Sequence, residues 1–144
     1  MVIVTRSAVL GAVPGDAPVR NTKHMLPIEP ALQTPAAKEK LGSKIGFYFG
    51  DQAHPQVERE IGEWVTNLKT NAFNKSDEEA CNRVFLGAML SLRDRAVKEG
   101  GDAVVRIRSY YRKDEVASVT EYECHAGALI KGVALKGMMV TLAR

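Results

Sequence analysis

The sequence predicts an α+β domain: one main amphipathic helix packed on a mostly antiparallel sheet. Two observations carry that reading. An apolar stripe of helical period runs through residues 76–99, and β-rich segments lie on both sides of it. A helix followed by consecutive strands places the helix on one sheet face, unlike the strict alternation of a parallel α/β fold.

A chain of 144 residues makes one domain with enough length to bury a core. Its 45% apolar and 26% charged residues exclude wholesale disorder. The net charge of +3, from 20 Lys+Arg against 17 Asp+Glu, is too small to imply a nucleic-acid or membrane partner. No apolar run approaches the roughly 20 residues of a membrane span.

Residues 1–23 show no periodicity and read as a flexible tail or a degenerate leader. Arg6 precedes the apolar stretch Ala8–Val13, at the lower limit of the roughly 7–15 residues of a secretory core. The single α+β domain is expected over 24–144. Pro27, Pro30 and Pro35 predict an extended surface path across 24–42, with a short helix at 36–40 stopped by Gly42.

Lys44–Phe49 is a strand that alternates Ile45, Phe47 and Phe49 onto one face and stops at Gly50-Asp51. Residues 58–70 suit both helix and strand. The β-forming Trp64-Val65-Thr66 and Thr70–Phe73 favour a strand around 60–68. The helix over 76–99 opens with a capping box, Ser76 and Glu79, and a first turn rich in acid. Cys81, Val84, Phe85, Ala88, Leu92 and Ala96 form its apolar stripe, and Gly100-Gly101 provides a left-handed exit.

Asp102–Tyr111 and Val119–His125 are expected to pair across a turn at 113–118. Ala126–Leu142 reads as one long or two short strands, bent near Gly132 or Gly137. Its Gly-rich stretch suits a core strand better than a pairing edge for a second subunit.

In that pairing Arg106 faces His125, Arg108 faces Glu123 and Tyr110 faces Glu121. Arg106, Arg108, Tyr110, Arg112, Glu121, Glu123 and His125 then share one exposed face, a candidate interaction surface. Val105, Ile107, Tyr122 and Cys124 take the face under the helix. Cys124 therefore points toward the stripe that holds Cys81. Two readings stand at this point: a disulfide, or two buried free thiols acting as small hydrophobes.

Arginine interleaved with Tyr110 and Tyr111 resembles a track for single-stranded nucleic acid. Cross-strand pairing with glutamates is the stronger reading, because neutralised arginines make a poor phosphate track. No metal is expected: Cys124 and His125 are adjacent in a strand and point apart, and neither His24, His54 nor Cys81 adds zinc spacing. No cofactor is expected either. There is no phosphate-binding loop, nucleophile elbow or zinc-protease motif, so no catalytic residue is assigned. Asp51, His54 and Ser76 would make a triad only on paper.

The segments Asn71–Cys81, Gly101–Lys113 and Glu121–Gly127 resemble a family of small proteobacterial proteins. These usually carry a secretion signal, have no established function and are often labelled "excinuclease ATPase subunit". The missing phosphate-binding loop speaks against that label. The resemblance spans about Met25 to Leu142. More distantly, the helix, the Gly-Asp-Ala-Val-Val strand and the Cys-bearing strand are similar to the Rcs envelope-stress lipoprotein and to the YbjQ-like family linked to heavy-metal binding. The lipoprotein resemblance implies a periplasmic domain with a Cys81–Cys124 bridge, and the YbjQ-like one an oligomer.

The resulting expectation is a non-enzymatic periplasmic domain, a binding or envelope-sensing module working on a protein partner. The alternative is a cytoplasmic nucleic-acid-associated protein that uses the arginine–tyrosine face.

Overall fold

A computed structural model describes residues 21–71 and 75–144. The expected leader falls largely outside them, as does the Ala72-Phe73 end of the segment read as strand-like. The elements are β1 (Thr22–Pro27), α1 (Ile28–Leu32), α2 (Pro35–Leu41), β2 (Gly46–Phe49), β3 (Val57–Asn71), α3 (Asp77–Lys98), β4 (Ala103–Ser109), a 3-10 turn (Tyr111–Lys113), β5 (Glu121–Ala126) and β6 (Ile130–Leu142).

The fold is α+β, with α3 laid on a mostly antiparallel six-stranded sheet. β6 is its centre. β3 pairs with β6 along nearly the whole strand, while the other edge of β6 is shared by β5 and β4. β1 extends the sheet beyond β5, and β2 runs parallel to β4 on the other side.

α3 follows its sequence closely. The Ser76 hydroxyl accepts the Glu79 N–H at 3.1 Å, so the capping box forms on its hydroxyl side. Cys81, Val84, Phe85, Ala88, Leu92 and Ala96 are buried, joined by Ala80 and Met89. Gly100 exits at φ +79, a conformation that costs glycine little. The stripe packs on Val104, Ile107, Tyr122, Val133, Leu135 and Met139 of the sheet. Phe85 stacks on Tyr122 with ring centroids 3.9 Å apart.

Three expectations are corrected. First, β4 and β5 do not form a hairpin. Residues 110–120 wander between them, joined to β4 by the single bridge Ser109–Val116. β5 turns tightly through residues 127–129 into β6, whose Ile130 carbonyl accepts the Gly127 N–H. The local turn therefore wins β6 for β5, and β4 pairs farther along the same strand.

Second, Val105 and Ile107 do not share a face. Arg106 sits at φ 53, and the pairing with β6 shifts between Val105 and Arg108. The extra residue of this bulge breaks the two-residue period. Val104 and Ile107 pack under α3, while Val105 joins Ala103 and Val140 in a small second core on the far face. The Gly137 backbone opposite the bulge makes the close approach possible: a Cβ there would lie 2.5 Å from Val104 Cγ1.

Third, the proline-containing segment is more ordered than an extended surface path. Thr22–Pro27 forms β1, with Pro27 at the strand end, where its missing N–H is tolerated. Pro35 starts α2 behind a Thr34 cap, and Arg93 Nη1 donates to the Lys40 carbonyl at 2.7 Å to close its other end. Thr22 and Lys23 thus belong to the domain. β3 is also longer than the expected 60–68, and β6 is continuous through Gly132 and Gly137.

Candidate functional site

Cys81 and Cys124 are bonded, with both residues fully buried and Cα atoms 6.0 Å apart. The bridge joins the first turns of α3 to the middle of β5. Beside it, Asp77 at the start of α3 meets Lys131 Nζ at 3.2 Å and His24 Nε2 at 3.1 Å. Lys131 is almost wholly buried and also donates to the Gly127 carbonyl. The N-terminal end of α3 is therefore tied covalently to β5, by an ion pair to β6 and by the His24–Asp77 contact to β1.

The seven residues of the expected interaction face are dispersed. Arg106 pairs with Glu60 at 3.2 Å. Arg108 pairs with Glu63 at 2.7 Å and Glu115 at 3.0 Å, and Lys136 reaches both of those carboxylates. Lys136 also lies over the Tyr110 ring. The partners of the arginines are thus Glu60, Glu63 and Glu115, not the Glu121 and Glu123 expected from a hairpin. Glu121 is exposed, Arg112 sits on the turn, and Glu123 is buried, so Glu123 offers no contact surface.

The ion network tunes its own groups. The Arg108 hydrogen bond holds the Glu63 carboxyl below the ordinary range, outweighing the opposing effect of burial. Hydrogen bonds from Arg108 and Lys136 lower Glu115 in the same way. Burial pulls the Arg108 guanidinium down, but the two carboxylates outweigh it and hold it above its usual value. Under α3, burial pushes the Tyr122 phenol above its usual range, and its hydroxyl donates to Asn82.

A second constellation was not foreseen. The buried Glu123 carboxylate bonds His125 Nε2, and the Tyr111 ring stacks on the imidazole with centroids 3.4 Å apart. The Tyr111 hydroxyl accepts from Asn21 Nδ2. Arg112 and Lys113 follow at φ 52 and φ 68, two left-handed non-glycine residues in succession. These groups open onto a cavity of about 700 Å³ between the 3-10 turn, the β5–β6 turn and Lys69 of β3. His125 Nδ1 and Glu123 Oε1 are buried without a hydrogen-bond partner among the described residues.

No family model, curated protein or solved structure matches the chain. The geometry alone therefore describes this site. His125 and Glu123 make an oriented imidazole–carboxylate pair. No hydroxyl or thiol bonds the second ring nitrogen among the described residues. There, too, no three of His, Cys, Asp and Glu converge as a metal centre, and no helix is long and apolar enough to cross a membrane.

Tyr111, Arg112 and His125 were all visible as polar or aromatic residues near a turn. Their convergence depends on β4 and β5 diverging, which strand periodicity does not reveal. Lys69 and the apolar Leu129-Ile130 pair carried no local signal.

Proposed function

We propose that this protein is a non-enzymatic binding module of the periplasm, an envelope-sensing domain that works through contacts with a protein partner. The buried Cys81–Cys124 bridge carries this reading. Such bonds persist in oxidising compartments, whereas cytosolic thiols are kept reduced. A solvent-shielded bond between the main helix and the sheet has the placement of a structural staple and not of a reactive thiol pair. The resemblance to secreted proteobacterial proteins and to the disulfide-bonded Rcs lipoprotein supports the same compartment.

The pairing of Arg106 and Arg108 with glutamates supports a protein partner over nucleic acid. A cation already neutralised by a carboxylate releases few counterions from a phosphate backbone. The unsupported excinuclease label plays no part in this reading, because the sequence has no phosphate-binding loop.

Thiol counting tests the compartment. Protein isolated from its native host and denatured without reductant should show no free thiol, and two after reduction. Two free thiols before reduction would overturn the proposal.

A further inference from the structure

We infer that the cavity beside Tyr111 and His125 is a binding site for a small amphipathic anion, a molecule with a carboxylate or phosphate head and an apolar body. This deepens the binding-module reading by naming a ligand class, and it does not depend on the compartment.

The charge comes from two sides. Lys69 reaches the cavity from β3 and Arg112 from the 3-10 turn. Neither has a carboxylate partner among the described residues, in contrast with Arg106, Arg108, Lys136 and Lys131, which are all ion-paired. Two cations without a carboxylate partner among the described residues therefore line one cavity. An anionic head between them would gain charge-assisted hydrogen bonds, which are stronger than neutral ones.

The apolar part comes from the β5–β6 turn. Leu129 and Ile130 are each 47% exposed and line the same cavity. Apolar walls with a few placed polar groups, in a volume of several hundred Å³, are the usual make-up of a small-molecule site.

The rigidity comes from below. The buried Glu123 carboxylate fixes the His125 ring, the ring carries Tyr111, and the Arg112 guanidinium lies over Tyr111 at 5.2 Å. Arg112 is thus positioned by a stack anchored in the sheet. It also holds a left-handed backbone, φ 52, a kind of strain that collects at ligand clamps. Covering the stack with a ligand would also enclose the polar edge formed by Asn21 and the Tyr111 hydroxyl.

The test is a titration of the full, disulfide-intact chain, followed by amide chemical shifts. The probes are sodium octanoate, octyl phosphate and 1-octanol. At least one anion should give saturable shifts centred on residues 111–112 and 127–132, and octanol should bind about fivefold more weakly or worse. Lys69→Gln and Arg112→Gln should each weaken the anion about three- to tenfold, and the pair should abolish its advantage over octanol. Lys69 is exposed on an edge strand, so its variant tests the charge without threatening the fold.

Three results would overturn the site: no saturable shift with either anion at millimolar concentration, equal binding of octanol, or shifts centred away from this cavity. Octanoate and octyl phosphate together separate carboxylate from phosphate preference. Because the bridge stays intact throughout, a negative titration removes the pocket and leaves the compartment reading to the thiol count.

Discussion

Replacing both cysteines, Cys81→Ala with Cys124→Ala, should cost this protein about 4 kcal/mol. The bridge spans 43 residues of chain. In the chain-entropy model, a loop of that length removes about 13 cal/mol/K from the unfolded state, or about 4 kcal/mol at 25 °C. Small domains have only about 5–15 kcal/mol of stability in total. The melting temperature should fall on the order of 10 °C or more.

The assay is urea unfolding of the oxidised protein and of the double variant, followed by circular dichroism. The entropic account makes a second demand. Freed of its cross-link, the unfolded chain expands, so the urea m-value should rise along with the loss of midpoint. A loss below about 1 kcal/mol would refute the claim that the bridge holds the fold together. A large loss at constant m would place its effect in native packing around α3 instead. Because both sulfurs are buried, dithiothreitol should reduce the native protein slowly and the urea-loosened protein quickly.

Other expectations follow from single sites. Gly137→Ala drives a Cβ against Val104 Cγ1 in the packed sheet and should cost about 1–3 kcal/mol, partly restored by adding Val104→Ala; urea midpoints decide it. Ser76→Ala removes the hydroxyl that caps α3 and should cost about 1 kcal/mol in the same assay. Glu63 and Glu115 have lowered folded-state pKa values, so their network stabilises the protein above the ordinary carboxylate range and loses that effect as pH falls through the folded values. The Glu63→Gln, Glu115→Gln variant should therefore show a shallower loss of stability on acidification, seen in melting temperature against pH. A gel shift with single-stranded DNA at low salt should show no retardation, since Arg106 and Arg108 are held by glutamates.

How far the fold could be read differs by element. α3 was legible almost residue by residue, because a capping serine, an acidic first turn, a 3.6-residue stripe and an exit glycine all agree. Cys124 on the helix-facing side of β5 was legible as well, since alternation within one strand is local. β1 was not, because prolines dominate the reading of its neighbourhood while its pairing with β5 depends on residues about 100 positions away. The bulge at Arg106 was invisible in a run of ordinary strand-forming residues.

By itself, the sequence determined that a helix with a buried stripe would lie on a sheet, and that both cysteines would be directed at the space between them. Those properties follow from periodicity, which each segment carries alone. Only the tertiary structure decided which strands share β6. The tight β5–β6 turn claims one part of its edge and leaves the rest to β4. That choice separates the arginines from Glu121 and Glu123 and gives them Glu60, Glu63 and Glu115. It also opens the cavity where His125, Tyr111 and Arg112 meet. Strand pairing is a contest among distant segments for the same hydrogen-bonding edge, and no local pattern records its outcome.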